Sequence, residues 1–115
     1  MEYLLLIYSD SAQFEALSES QKSEGMAAYG AYHEALQKAG VLRNSNRLRP
    51  ADTATTVHLE SGKTQVHNGP FAETREQLGG YFLIDVPDLD AALSWAARCP
   101  GAAHGKVEVR PIWPM

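Results

Sequence analysis

The densest set of side chains that can do chemistry lies in residues 67–81, which read His-Asn-Gly-Pro-Phe-Ala-Glu-Thr-Arg-Glu-Gln-Leu-Gly-Gly-Tyr. Asn68 can orient a ligand through its amide, and Arg75 can pair with an anionic group. Phe71 and Tyr81 offer aromatic surface for a lid or a pocket wall. Gly69 and Pro70, which lie between Asn68 and Phe71, force the chain to turn there. We predict a ligand-binding loop that contains Asn68, Phe71, Arg75 and Tyr81.

Each of these residues also has a simpler interpretation. Asn68 precedes a glycine, and Asn-Gly pairs favour turns. Arg75 and its acidic neighbours can form a solvated loop face, which is the default for mixed charges at short range. Phe71, beside Gly-Pro, must be buried somewhere and is interpreted as a lid or an interface anchor.

A predicted first helix supplies the remaining candidates. Tyr29 and Tyr32 lie on its apolar stripe and can form a pocket wall, and His33 lies beside them. His33 and Asn68 are the candidates for acid–base catalysis, although an amide cannot take a proton as a carboxylate does. A core or interface role for His33 stays open.

Metal and cofactor chemistry have little support. His58 and His67 fall on one face of a predicted hairpin, but two histidines without a third ligand are weak evidence for a metal. Cys99 is interpreted as a buried thiol. The sequence has no Gly-rich phosphate loop, no nucleophile elbow and no His-Glu-x-x-His motif, so no metal and no cofactor are predicted.

Two strands are apolar on both faces and are therefore predicted to be central in a sheet. They span residues 2–8 and 79–86. A helix over residues 19–39 follows the first of them, with Ser18 and Gln21 at capping-box spacing and Gly40 at its end. Its apolar stripe consists of Met26, Tyr29, Tyr32, Leu36 and Ala39.

The other elements are shorter. The polar segment 41–48 suits an edge strand, and residues 54–60 and 63–68 form a hairpin around the turn Ser61-Gly62. Asp88 caps a second helix, and residues 106–112 alternate as a last strand. The buried stripe predicted for the second helix consists of Leu89, Ala92, Leu93 and Ala96.

This order predicts one α+β domain over residues 1–115, a ferredoxin-like antiparallel sheet with an extra hairpin strand. Two helices can cover only one face of a sheet, yet the central strands are apolar on both. The other face needs a cover, and a second copy of the chain can provide it. We predict a homodimer, a dimeric α+β barrel whose sheets face each other across a cavity.

The composition limits the partners. The 115 residues carry a net charge of −4 with no basic cluster, which disfavours direct contact with nucleic acid. A single cysteine is typical of a reducing compartment. No apolar stretch approaches the ~20 residues of a membrane span. We expect a cytoplasmic protein that does not contact a membrane.

The chain resembles the YCII-related proteins, in the branch named for an Asp-Gly-Pro-Phe motif. The motif stretch carries the resemblance, together with Tyr-Leu-Leu-Leu-Ile-Tyr near the start and Asp-Val-Pro-Asp-Leu-Asp-Ala-Ala-Leu before the second helix. The resemblance implies a dimeric α+β barrel. In the wider family a His and Asp pair has been proposed as catalytic, and the motif aspartate is Asn68 here.

Three functions are compatible with these features. The first is a dimeric small-molecule-binding protein, with acid–base catalysis as a possible activity and its pocket in the dimer cavity. The second is a non-catalytic ligand- or partner-binding module linked to a sigma factor, which the family context implies. A cofactor-independent oxygenase of the same barrel class is the third.

Overall fold

A four-stranded antiparallel sheet with helices on one face forms the body of the molecule. The computed structural model describes residues 1–114, and Met115 lies outside the described residues. The strands are β1 (Glu2–Ser9), β2 (Leu42–Arg47), β3 (Thr55–Glu60), β4 (Lys63–Asn68), β5 (Gln77–Asp85) and β6 (Lys106–Pro111). The helices are α1 (Ser11–Glu15), α2 (Glu19–Lys38), α3 (Leu89–Arg98) and α4 (Gly101–His104), and a 3-10 turn covers Ala51–Thr53.

The strand order of the main sheet is β2-β5-β1-β6, which is the ferredoxin-like order. The strands predicted to be central, β1 and β5, are central, and the polar β2 lies at an edge as expected. All neighbouring strands run antiparallel. The α+β class and the antiparallel sheet predicted from the sequence are confirmed.

The core lies between this sheet and the helices. Alternate residues of β1 and β5 point toward the helices and are buried, among them Leu5 and Ile84, both 0% exposed. From α2, Leu36 is also fully buried, and the Tyr32 ring meets Phe82 edge-on at 5.1 Å. The predicted capping box is present, since Ser18 and Gln21 each bond the other's backbone amide. Burial against β1 and β5 thus fixes the position of α2, and the capping box fixes its start.

The stripe predicted for α3 is wrong in two of its four residues. Leu89 and Leu93 are 48% and 47% exposed, while Ala92 and Ala96 are buried as expected. The small Ala side chains permit a close approach to the sheet, and the helix turns its leucines outward. Met26 and Ala39, at the two ends of the predicted α2 stripe, are likewise exposed.

Two short helices were not predicted. Helix α1 begins after Asp10, whose carboxylate accepts a hydrogen bond from the Ala12 amide. Helix α4 follows Pro100. Both helices lie next to the strand ends that bound the cleft described below.

The sequence predicted that the hairpin adds a strand to the main sheet. This prediction is wrong, because the hairpin forms a two-stranded sheet of its own. We call residues 55–71 the arm. The register is the predicted one, with Val57 opposite Val66 and Glu60 opposite Lys63. Ser61 and Gly62 both have positive φ, as a type I′ turn requires. Every arm strand residue except Thr56 is exposed, so the arm projects from the body.

The second face of the main sheet carries no helix, and we call it the bare face. Its centre is formed by Leu4 and Leu6 of β1 with Tyr81 and Leu83 of β5, all of them half-buried. The chain is a slab of 48 × 44 × 17 Å, and its radius of gyration of 16.0 Å exceeds the ~13 Å of a compact domain of this length. One layer of helices on one sheet accounts for the short dimension.

Replacing Gly30 by alanine is expected to stabilise the protein by about 1 kcal/mol, because glycine is a poor residue in a helix interior. A Cβ at this position meets nothing within 4 Å. Urea unfolding at fixed protein concentration measures the change. Gly25→Ala is the matched repeat on the same helix, since it too meets nothing within 4 Å. A loss of stability in both variants would show that α2 contacts another surface.

Candidate functional site

An open cleft of about 720 Å³ lies at the end of the sheet where β1 ends and β6 begins. It is bounded by the segment before β5, by the turn into α1 and by α4. Its lining is Tyr8, Asp10, Gln13, Thr74, Arg75, Glu76, His104, Lys106, Val107 and Glu108. The volume falls within the range of small-molecule sites.

Strand pairing sets the floor of the cleft. Tyr8 and Lys106 are direct partners in the β1–β6 ladder, so their side chains lie together on the bare face. Between α4 and β6, Gly105 passes so close to the Tyr8 carbonyl that a Cβ there has no room. The glycine brings His104 and Lys106 to the rim of the cleft.

The loop from Ala72 to Gln77 forms the opposite wall. The Gln77 side-chain amide donates to the carbonyls of Ala72 and Thr74 at 2.5 and 2.8 Å. The Thr74 hydroxyl donates to the Glu76 carbonyl at 2.6 Å. These bonds stabilise a compact turn that directs Arg75 into the cleft.

Most charges of the cleft are already matched within the chain. Glu76 pairs with Lys106 at 2.5 Å, and Glu108 pairs with Arg110. The Asp10 carboxylate caps α1. Throughout residues 1–114, no carboxylate forms an ion pair with Arg75. Of the Arg and Lys side chains that line the cleft, Arg75 is therefore the one without an ion-pair partner among residues 1–114, and its guanidinium is available to bind an anion.

The residues predicted from the sequence do not converge on one pocket in the single chain. Arg75 lines the cleft. Asn68 ends β4 opposite Thr55 and is exposed. Phe71 was expected to be buried but is 90% exposed. Tyr81 lies on the bare face, where its hydroxyl accepts hydrogen bonds from the side-chain amides of Asn44 and Asn46, at 3.3 and 2.8 Å.

The helix candidates lie on the other side of the sheet. The Tyr32 hydroxyl donates to the Trp95 carbonyl at 2.7 Å, and the Tyr29 ring stacks on Phe82 at 6.5 Å. Burial raises the pKa of both tyrosines above the ordinary value. His33 is half-buried, with its ring 6.4 Å from that of Phe82. A ligand role for these three residues stays a prediction, and the sheet separates them from the cleft.

Comparison with known proteins identifies the family. A YCII-related domain matches residues 1–115. The chain belongs to the YCII-related family. It is also 39% identical to an uncharacterized protein of Rhizobium meliloti (strain 1021) over 114 residues, which cover 97% of this chain and 92% of that protein. The resemblance seen in the sequence is confirmed at the level of the family.

Two further features of this YCII-related chain concern metals and membranes. Across residues 1–114, no group of three or more His, Cys, Asp and Glu side chains is placed to hold a metal ion. His58 and His67 are both exposed on the arm. Within the same residues, no helix has the length and apolarity needed to cross a membrane.

Three residues that the YCII-related fold places beside Arg75 were not predicted from the sequence. Tyr8, His104 and Lys106 lie in three separate segments, and His104 follows no recognisable motif. The alternation of β1 and of β6 does place Tyr8 and Lys106 on the faces opposite their core residues. That signal requires knowledge that the two strands are neighbours, which the ferredoxin-like order provides.

The one cysteine of this YCII-related chain is expected to be unreactive in the native state. Cys99 is 2% exposed, as predicted, and burial raises the pKa of its thiol. Little thiolate therefore forms at pH 8, and alkylation by iodoacetamide should be at least about tenfold slower in buffer than in urea. Ser94→Cys, on the exposed side of α3, is the control thiol and should react rapidly in buffer. Equal rates for Cys99 in buffer and urea would contradict its burial.

Proposed function

We propose that the protein is a homodimeric small-molecule-binding protein that takes an anionic ligand in the cleft around Arg75. The observation that carries this proposal is a cleft of ligand size that opens beside an apolar sheet face without a cover. We place the chain in the branch named for the Asp-Gly-Pro-Phe motif, with Asn68 in place of the aspartate.

The dimer is supported by the bare face. Leu4, Leu6 and Leu83 lie side by side in the ladders of β1 and β5, and together with Tyr81 they form a continuous apolar patch. Contiguous patches of this kind on a sheet mark interaction surfaces. A second copy placed on the bare face turns the 17 Å slab into two layers of helices around two sheets.

The anionic character of the ligand follows from the charges of the cleft. Glu76, Glu108 and Asp10 are each engaged within the chain, whereas Arg75 is not. A guanidinium forms two parallel hydrogen bonds with a carboxylate or a phosphate. The cleft also contains His104, and histidine is the side chain that most often transfers protons in enzyme sites. Binding is thus the primary function, and proton transfer is the reaction type that this lining supports.

Thermal-shift measurements with a panel of small carboxylates and phosphate monoesters test the ligand class. Each acid is paired with its neutral ester or parent alcohol. At least one acid should raise the melting temperature while its neutral partner does not. Arg75→Ala should weaken that binding at least about tenfold, because a hydrogen bond to a charged group contributes about 1.5 to 3 kcal/mol.

Arg49→Ala is the matched control, since Arg49 is also exposed but lies outside the cleft. It should bind the acid as the wild type does. Equal shifts from acids and neutral partners, no shift from any acid, or full binding by Arg75→Ala would each overturn the proposal.

A further inference from the structure

The arm carries an apolar surface that the single chain does not use. Val57, Leu59 and Val66 share one face of the hairpin and are 59%, 70% and 64% exposed. The opposite face carries His58, Glu60 and other polar side chains. Phe71, the last residue of the arm, follows the base of the hairpin and is 90% exposed. This alternation is typical of a sheet with one face buried.

The arm also lacks the support that a hairpin normally needs. A two-stranded hairpin is at best marginally stable in water and requires a surface to pack on. At its base the Thr56 hydroxyl donates to the Gly69 carbonyl at 2.8 Å, and the Gly69 amide donates to the Ala54 carbonyl at 2.7 Å. These bonds close the hairpin on itself and do not join it to the main sheet. The apolar face beyond the base therefore needs a surface to pack on that the described part of the chain does not provide.

The area of a stable dimer identifies a second copy as that partner. The bare face has a footprint of roughly 400 Å², from four strands about 4.8 Å apart and about six residues long. Stable interfaces bury roughly 800 Å² on each partner. One arm face adds roughly 200 Å², and Phe71 adds up to about 200 Å². The bare face alone provides about half of the area that a stable interface buries, and the arm supplies the remainder.

The position of the arm on the second copy follows from the order and register of the strands in the main sheet. Pairing puts Arg47, Gly80, Ile7 and Val107 in one row across the four strands. The arm leaves the body after β2 at this row, and the cleft opens at the same row beside β6. A two-fold axis in the interface and parallel to the strands lays the β2 edge of one protomer over the β6 edge of its partner. That rotation carries the arm to the cleft of the other subunit.

An axis across the strands gives a poorer contact. It sets each β2 edge against the same edge of the partner, so that Arg43 and Arg47 of both copies lie at one boundary. Like charges there are unfavourable. It also leaves the cleft open, whereas ligand sites bury most of their ligand.

We infer that the arm of each protomer packs its Val57, Leu59 and Val66 face on the second copy, with Phe71 as an anchor, and covers the partner's cleft. The complete ligand site then contains residues of both chains. This inference rests on the proposed homodimer and adds the element that closes its cleft.

Cross-linking tests where the arm lies. Chains with Val57→Cys are mixed with chains with Lys106→Cys and treated with a short bismaleimide, and a covalent dimer of the two chains is expected. A mixture of Val57→Cys with Arg43→Cys chains should give none, because Arg43 lies at the far end of β2. Each variant alone is the background control, since Cys99 is buried. Cross-linking to Arg43→Cys and not to Lys106→Cys, or to neither position, would overturn the inference.

Sedimentation equilibrium tests whether the arm stabilises the dimer. Leu59→Asp should raise the dimer Kd at least tenfold, while His58→Asp, the adjacent residue on the opposite face, should leave it near the wild-type value. If the wild type is monomeric, the proposed homodimer fails and the inference falls with it. If the wild type is dimeric and Leu59→Asp dimerises as well as His58→Asp, the arm inference alone fails.

Discussion

Replacing Leu83 by lysine is expected to convert the proposed dimer to monomers, with a rise in the dimer Kd of at least about 100-fold. Leu83 lies at the centre of the bare face, opposite Leu4 on one side and Asn44 on the other. In a two-fold interface the substitution occurs twice. An unpaired buried ammonium costs at least about 3 kcal/mol, which corresponds to a factor of about 100 in Kd.

The control for Leu83→Lys is Gln37→Lys, which adds the same charge on the exposed side of α2. Sedimentation equilibrium should show an unchanged dimer for this variant, and circular dichroism should show that both variants stay folded. A wild-type chain that is monomeric at micromolar concentration, or a Leu83→Lys chain with an unchanged Kd, would contradict the bare-face interface.

Replacing Gly105 by alanine is expected to cost about 3 kcal/mol of stability, at the upper end of the usual cost of overpacking. The added Cβ would overlap the Tyr8 carbonyl oxygen and lie 3.3 Å from the Ser9 Cα. Both are backbone atoms of a central strand and cannot rotate away.

Thermal unfolding at fixed protein concentration measures this loss, because the stability of a dimer depends on concentration. The melting temperature should fall by roughly 10 °C or more. Gly30→Ala makes the same chemical change where there is space, and it should raise the melting temperature. An unchanged melting temperature in Gly105→Ala would mean that the junction of α4 and β6 can move away from β1. The position of His104 and Lys106 would then be less fixed than the structure indicates.

The elements that depend on neighbouring residues could be predicted from the sequence. The capping box of Ser18 and Gln21 and the register of the hairpin around Ser61-Gly62 are set by contacts a few residues apart. The central position of β1 and β5 followed from their apolar residues at both parities. These patterns have local causes, so they can be recognised without knowledge of the rest of the chain.

The predictions that were wrong, for α3 and for the hairpin, share a different cause. The buried side of α3 depends on how closely the helix approaches the sheet, and Ala92 and Ala96 approach more closely than Leu89 and Leu93 allow. The arm lies outside the main sheet because β2 pairs directly with β5 and leaves no place for another strand between them. The buried side of α3 and the position of the arm both depend on contacts between residues far apart in the sequence.

By itself, the sequence determined the strands, the main helices, the α+β class and the presence of Arg75 in a structured loop, because alternation, capping and turn chemistry act over a few residues. Only the tertiary structure decided that Arg75 lies in a cleft with Tyr8, His104 and Lys106. It also decided that Tyr29 and Tyr32 of α2 pack between that helix and the sheet. The physical reason is that side chains on opposite faces of one sheet are separated by the backbone itself, whatever their distance in sequence. Pairing between β1 and β6, about 100 residues apart in the chain, brings the cleft together.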